Sequence, residues 1–427
     1  MLNRKQQPKY KEIEKINILK AKEQSLENNI PLYTINAGTE DIVRIDLIFN
    51  AGILSNPKPL IATITNSLIE AGTKKHTALQ IAEKLDFYGA FLHHSVNKDN
   101  ASISLYSLNK YLPETIKIFE DIIKNSIFPV NELEIYLQKK KQEFIVESEK
   151  VNVLSSRKFQ SVLFGDKHPY GVTLSINDFK NVDQKQLSEH HLRHYNANSC
   201  KIIVSGNVDN KTVNLIKASF GKNDWINDNN ILTDNKYIIK SSNKKQHIIE
   251  KEKAVQTAIR VGKVTINKLH DDFIGLQILN TVLGGYFGSR LMTNIREDKG
   301  YTYGIGSGLV SLQNAGYFTI VTEINSDFTK DTIKQIYFEL DKLRNELIED
   351  KELNTVRNYI LGELLKAFDG PFALADSFRS ILDYGLDYNY FDKYVKTVKN
   401  ISSEELNKLA NKYFKPEELI DVIAGKY

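Results

Sequence analysis

The pattern of apolar and polar positions divides the chain into two halves of similar design. In the first half, a polar-faced helix after residue 181 leads into an apolar run at residues 199–205 that stops at Gly206. Near the C-terminus, a helix after residue 400 leads into an apolar run at residues 419–424 that stops at Gly425. A helical period followed by a short β-rich run and a glycine is typical of a helix-to-strand return. The sequence therefore predicts this unit twice.

A second pair of segments supports the duplication. A strand pattern at residues 101–108 precedes an amphipathic helix, and a strand pattern at residues 317–324 precedes another. A further helix begins at Leu133 in the first half and at Leu353 in the second, each after a glutamate. The offset is 217 residues for the first helix and 220 for the second, so the two matches agree to within three residues. We predict an α+β fold of two homologous domains, each a mostly antiparallel sheet packed with helices.

The length and a change in composition place the domain limits. A chain of 427 residues is too long for one ordinary core. Residues 222–251 form a polar, asparagine-rich stretch with one short apolar patch, which is typical of a linker. We therefore expect an N-terminal domain at residues 1–221 and a C-terminal domain at residues 252–427.

Composition excludes several classes of protein. The net charge of +4 comes from interspersed charges, unlike a nucleic-acid-binding surface. No apolar run is long enough to span a membrane. The single cysteine, Cys200, precedes an apolar run and is expected to be a buried structural thiol. The N-terminus lacks the apolar segment of a signal peptide, so we expect a cytoplasmic protein and leave the periplasm open.

Two segments carry a resemblance to a known family. Residues 283–304 read LGGYFGSRLMTNIREDKGYTYG, with a glycine pair, a Ser-Arg-Leu triplet, an Arg-Glu pair and a Gly-x-x-Tyr turn. Residues 164–171 read FGDKHPYG. Both resemble motifs of the pitrilysin–insulinase zinc metallopeptidases, the inverzincins, and in particular their small two-subunit branch. With the duplicated layout, the resemblance covers most of the chain.

The zinc motif of that family is absent. In the family, the first domain carries His-x-x-Glu-His on a helix, where two histidines bind zinc and the glutamate is the general base. The matching helix lies at residues 60–73, where Thr63 and Ser67 take the histidine positions and Asn66 takes the position of the base. Glu143 takes the position of a third ligand. Hydroxyls and an amide are poor zinc ligands and no base, so we expect no cofactor in this chain and zinc in a partner.

A histidine cluster offers an alternative metal site. His190 and His194 have the i, i+4 spacing that zinc accepts, and Glu189 is adjacent. The second copy of the repeat, at residues 407–412, has no such groups. We therefore interpret this segment as a polar helix face and keep a metal site as the lesser alternative.

The resemblance assigns a role to the second domain. It implies that Arg296 and Tyr303 project across a chamber between the two domains, towards the zinc, where they contact substrate carbonyls and the developing oxyanion. Family members also bind unfolded peptide as an added strand on a sheet edge. The alternative is structural, with the arginine in a helix-ending ion pair and the tyrosine packed in a strand. Four further residues are candidates for substrate binding: Gly284, Gly285, Ser289 and Gly304.

Together these features predict a non-catalytic, substrate-binding subunit of a heterodimeric zinc metallopeptidase. Its partners would be a zinc-bearing paralogous subunit and an unfolded peptide. Alone it would be proteolytically inert. Two alternatives stay open, an active zinc endopeptidase with an unrecognised metal site and a scaffold subunit without a proteolytic role.

Overall fold

Two β-sheets, one in each half, form the framework of the protein. The computed structural model describes residues 16–56, 58–225 and 237–427. The strands of the first sheet are β1 (Lys22–Ser25), β2 (Pro31–Asn36), β3 (Ile42–Phe49), β4 (Phe91–Val96), β5 (Ala101–Leu108) and β6 (Cys200–Gly206). Those of the second are β7 (Gln246–Glu250), β8 (Gln256–Thr265), β9 (Thr302–Leu312), β10 (Ala315–Asn325) and β11 (Ile420–Gly425).

Helices follow the strands in a corresponding order in each half. The first half has α1 (Ile61–Ser67), α2 (Ala78–Phe87), α3 (Leu112–Asn125), α4 (Val130–Glu147), α5 (Val151–Phe164), α6 (Gln184–His194) and α7 (Asn210–Phe220). The second has α8 (Phe273–Asn280), α9 (Thr329–Asn345), α10 (Asp350–Lys366), α11 (Pro371–Leu382), α12 (Asn389–Asn400) and α13 (Ser403–Tyr413).

The two sheets share one topology. Their strand orders are β1-β2-β6-β3-β5-β4 and β7-β11-β8-β10-β9. In the first sheet β6 is parallel to β2 and antiparallel to β3, and in the second β11 is parallel to β7 and antiparallel to β8. Apart from the extra strand β1, the second sheet thus repeats the first. The predicted duplicated α+β fold is confirmed.

The repeated helix-to-strand unit is built by the same local chemistry in both halves. Helix α6 begins with a capping box between Asp183 and Gln186, and α13 begins with one between Ser402 and Glu405. Such a box satisfies amide groups that the first helical turn leaves without partners. Both helices therefore begin at a pair of polar residues three positions apart, just before the apolar residues that face the core.

Glycines end both returning strands because no side chain fits there. Gly206 and Gly425 have φ values of 120° and 139°, in the region that favours glycine. A Cβ atom at residue 206 would lie 2.2 Å from the carbonyl oxygen of Ile42 on the neighbouring strand. The glycines that mark the repeat in the sequence are thus required by close strand approach.

The two halves exchange one helix each. Helix α5 of the first half packs on β8 and β11, and α11 of the second half packs on β2 and β6. Phe159 on α5 is buried in a cluster with Val422. Phe378 on α11 is buried with Ile203 and has its ring 5.0 Å from that of Tyr33. Each sheet thus has one apolar face covered by the other half of the chain.

The segment with the His-Pro-Tyr-Gly sequence lies at the junction of the halves. The buried Tyr170 donates a hydrogen bond to Asp99 in the β4–β5 turn, and its carbonyl accepts one from Lys98 at 3.1 Å. The other oxygen of Asp99 accepts from the amide of Gln313 in the β9–β10 turn at 3.0 Å. One carboxylate therefore joins the hairpin turns of both sheets.

The predicted linker at residues 222–251 contains a strand of the second sheet. Residues 226–236, including much of its asparagine-rich part, lie outside the described residues. After them, the amides of Lys240 and Ser242 donate to Phe164 and Val162 at the end of α5. The segment then forms β7, which pairs with β11. The limits at residues 221 and 252 stay a prediction, since helix exchange makes both cores depend on both halves.

The structure tests some of the expectations on Cys200, membrane spans, the signal peptide and the compartment. Cys200 is buried, 3% exposed, as predicted. Within the described ranges, no helix combines the length and apolar character that crossing a bilayer requires. Residues 1–15 lie outside the described residues, so the signal-peptide and compartment predictions are not tested.

Candidate functional site

Two π-helical turns carry the segment that includes Arg296. The first, Thr281–Gly285, continues α8, and the second, Met292–Asp298, leads into β9. Such turns are rare and occur frequently at functional sites. Gly284 lets the first turn approach β9 closely, because a Cβ atom there would lie 2.7 Å from the amide nitrogen of Ser307.

Arg296 is half-buried and stacks on an aromatic ring. Its guanidinium carbon lies 4.5 Å from the ring centroid of Phe287. Within the described part of the chain it makes no ion pair. The neighbouring Arg290 instead makes a two-pronged contact with Glu352, at 2.9 and 2.8 Å. The structural alternative, an arginine fixed by an ion pair, therefore applies to Arg290 and not to Arg296.

Tyr303 projects from an irregularity in β9. The register between β9 and β10 shifts between Thr322 and Ile324, so Tyr303 and Gly304 together lie opposite one residue of β10. A β-bulge of this kind re-aims side chains and is over-represented next to active sites. Tyr303 is 95% exposed, so it is not packed within the sheet.

The four other candidate residues divide into two groups. Gly285 and Gly304 are exposed, whereas Gly284 is buried and Ser289 is only 1% exposed. The Ser289 amide donates to the carbonyl of Tyr286 at 3.2 Å and so shapes the turn. The Ser289 side chain was expected to contact substrate, but it has almost no exposed surface with which to do so. Gly284 serves close packing instead.

The outer edge of β9 is partly occupied by the protein itself. The amide of Ile305 points to the sulfur of Met292 at 3.5 Å, and the carbonyl of Ser307 accepts from Asn280 at 3.2 Å. These contacts use main-chain groups that an added strand would need. The glycine-rich part of β9 is therefore not an open edge.

The equivalent edge of the first sheet is open. Strand β4 pairs only with β5, and no group outside the sheet bonds to its main chain among the residues described. His94 on this strand lies 3.3 Å from the carboxylate of Glu70, just beyond α1. Sequence reasoning missed this pair because the partners are far apart in the chain and neither belongs to a motif.

The residues at the zinc-motif positions do not point the same way. Thr63 is exposed and Ser67 is half-buried on the outer face of α1. Asn66 is 1% exposed and its amide donates inward, to the hydroxyl of Tyr195 at 3.2 Å and to the carbonyl of Ser102 at 3.4 Å. The position of the general base is thus occupied by an amide that belongs to the core.

The position of the third ligand is an ordinary surface glutamate. Glu143 on α4 pairs with Lys140 at 2.7 Å, and that contact lowers the pKa of Glu143. Across the described ranges, no group of three or more His, Cys, Asp or Glu side chains is arranged to hold a metal ion. The residues at the motif positions do not fit a zinc ion.

The histidine cluster on α6 is not a polar helix face, so that interpretation was wrong. His190 and His191 are 3% and 8% exposed. Burial is the main cause that lowers the pKa of His190 to about 3 and of His191 to about 4. His191 donates to the carbonyl of Ile123 at 2.8 Å, and its ring stacks on Tyr195. These are neutral core imidazoles.

Comparison with known proteins agrees with the geometry. Residues 181–360 match the family model described as the peptidase M16 inactive domain. An uncharacterized zinc protease of Rickettsia felis is 26% identical over 411 residues, which cover 91% of this chain and 94% of the relative. A peptidase M16 inactive domain from Pseudomonas fluorescens has a TM-score of 0.81 at 21% identity, covering 95% of this chain and 98% of that one. A protease from Helicobacter pylori has a TM-score of 0.86 at 18% identity, covering 96% and 100%.

The chain resembles the M16, or pitrilysin–insulinase, metallopeptidases in its duplicated sheets and in the segment around Arg296, but it lacks their metal motif. Residues 181–360 carry the inactive domain of that family.

Proposed function

We propose that this protein is the substrate-binding, non-catalytic subunit of a two-component zinc peptidase. Its partner would be a paralogous subunit that carries His-x-x-Glu-His. One observation carries the proposal. The segment of residues 281–304 presents an exposed phenol and a guanidinium that has no ion-pair partner among the described residues, while the zinc-motif positions hold Thr63, Asn66 and Ser67.

Arg296 and Tyr303 have the chemistry that a peptide bond requires. A guanidinium offers several fixed N–H donors, and a phenol adds one O–H donor. Donors held in place beside a carbonyl stabilise the negative charge that develops on its oxygen during attack. In the assembled enzyme the zinc and its activated water belong to the partner, and this chain supplies donors to the substrate.

We assign the open edge of β4 as the surface to which the main chain of the peptide binds. An extended chain can add to such an edge by hydrogen bonds that do not depend on sequence. Support comes from the contrast with β9, whose main-chain groups at Ile305 and Ser307 are already used. The peptide would therefore lie on the first sheet, and the second would contribute Arg296 and Tyr303.

The test compares the protein alone with the protein co-purified with its zinc-bearing paralogue. We expect no peptidase activity alone and chelator-sensitive activity in the complex. Arg296→Ala or Tyr303→Phe should lower kcat/KM of the complex by about 100-fold, the usual effect of removing one such donor. Arg193→Ala and Tyr427→Phe, which change an exposed arginine and an exposed tyrosine elsewhere, serve as matched controls.

Two results would overturn the proposal. Chelator-sensitive activity in the protein alone, with near-stoichiometric zinc by metal analysis, would make it an active endopeptidase. Full activity of the complex after both changes at Arg296 and Tyr303 would make it a scaffold.

A further inference from the structure

We infer that Phe287 is a positioning residue that holds the guanidinium of Arg296 with its donors free for the peptide. This inference rests on the proposed role of Arg296 and adds a residue to it. No sequence motif singled out Phe287, which lies between the glycine pair and the Ser-Arg-Leu triplet.

The contact is direct. The guanidinium carbon of Arg296 lies 4.5 Å from the ring centroid of Phe287, inside the range of about 6 Å at which a cation is attracted to an aromatic face. Phe287 is 60% exposed, so its ring does not serve mainly as core. Since Arg296 makes no ion pair in the described ranges, the ring beneath it restricts a side chain that would otherwise sample many rotamers.

The neighbours of Phe287 fix its outward direction. The ring of Tyr286 packs on that of Tyr359, with centroids 4.9 Å apart. A Cβ atom at residue 288 would lie 2.9 Å from the Tyr286 ring, so Gly288 permits this packing. On the other side, Ser289 is buried. The turn thus anchors residues 286 and 289 inward and leaves Phe287 at the surface.

A ring suits this purpose better than a carboxylate. A carboxylate binds a guanidinium along its N–H edge and uses two donors, as Glu352 does with Arg290. An aromatic ring instead attracts the cation to its face and takes none of the N–H donors in a conventional hydrogen bond. Phe287 can therefore restrain Arg296 without consuming the donors that a peptide carbonyl needs. The chain contains both arrangements six residues apart, one structural and one free for a ligand.

The experiment measures peptide hydrolysis by the complex with the zinc-bearing paralogue. Phe287→Leu keeps an apolar side chain but removes the aromatic face, and should lower kcat/KM by about two- to fivefold. Phe287→Tyr keeps the face and should retain activity. Phe338→Leu, at an exposed phenylalanine on α9, is the matched control and should have no effect.

A double-mutant cycle separates positioning from other roles. If Phe287 acts through Arg296, then Phe287→Leu changes nothing further in an Arg296→Ala background. An equal loss in both backgrounds, or no loss in either, contradicts the inference. So does weaker assembly of the Phe287→Leu complex by analytical ultracentrifugation, which would make Phe287 a contact to the partner. If Arg296→Ala itself leaves activity unchanged, the proposed function fails, and the two failures are thereby distinguished.

Discussion

The side-chain amide of Asn66 donates a hydrogen bond to the hydroxyl of Tyr195, across 129 positions of sequence and inside the first half of the chain. Both residues are buried, and burial raises the pKa of Tyr195. Asn66 occupies the position that resemblance gives to a general base. A general base at this position would face water and a metal ion. Asn66 instead points inward and forms a hydrogen bond within the core.

Asn66→Asp should therefore destabilise the fold rather than create activity. The change places a carboxylate beside the carbonyl of Ser102, where the amide now donates, and buries its charge. We expect a loss of about 2–5 kcal/mol in the free energy of unfolding at pH 7, measured by chemical denaturation. Thr63→Asp, on the exposed face of the same helix, is the control and should change stability by about 0.5 kcal/mol or less. Equal effects of the two changes would show that Asn66 is not held inward.

Gly284→Ala tests the close contact between the first π-helical turn and β9. The added methyl group would lie 2.6 Å from the hydroxyl oxygen of Ser307 and 2.7 Å from its amide nitrogen, so the turn has to shift. We expect a loss of about 1–3 kcal/mol and a lower melting temperature. Gly362→Ala, inside α10 with open space around the site, should instead stabilise the protein by about 0.5–1 kcal/mol. A neutral Gly284→Ala would contradict the packing role.

Acid should destabilise the protein through its buried histidines. The folded-state pKa values of His190 and His191 are lowered to about 3 and about 4, from 6.5 in the unfolded chain. The unfolded state therefore takes up protons first as the pH falls below 6.5, and stability is lost between pH 6.5 and about 4. Each histidine should account for about 2 kcal/mol between pH 6.5 and pH 5.

The contribution of one histidine can be isolated by substitution. His191→Gln keeps a side chain that can donate to the carbonyl of Ile123 but does not titrate. The slope of unfolding free energy against pH between 6.5 and 5 should be smaller in this variant, whatever its absolute stability. An unchanged slope would mean that His191 does not titrate with unfolding in this range.

The helix exchange predicts effects that cross from one half to the other. Phe159→Ala on α5 should cost about 3–5 kcal/mol and raise amide hydrogen exchange in β8 and β11, which belong to the second sheet. Phe378→Ala on α11 should cause a similar loss of stability and raise amide hydrogen exchange in β2 and β6, which belong to the first sheet. If exchange rises only in strands of the half that carries the substitution, the helices do not cover the sheets as described.

The sequence predicted the duplication well because local signals carry it. Capping residues such as Asp183 and Ser402, and the glycines that end each return, are visible without tertiary information. The exchange of α5 and α11 was not predictable in this way, since an amphipathic helix shows that it has an apolar face but not which sheet covers it.

The histidines were misread for an instructive reason. Leu187, His190, His191 and His194 recur at the spacing of one helix face, which is the pattern of an inner face. Because the histidines were counted as polar residues, the helical period of this buried face was not recognised. The stacking of Arg296 on Phe287 was also beyond the sequence, because two π-helical turns set the positions of these side chains.

The exchange of α5 and α11 also limits how the molecule can move. Turning one sheet relative to the other would drag Phe159 or Phe378 out of an apolar cluster, and would separate Asp99 from Gln313. We therefore expect the two halves to move together as one rigid unit. In the two-subunit peptidase proposed above, a gap wide enough to admit a peptide would then have to open between the subunits.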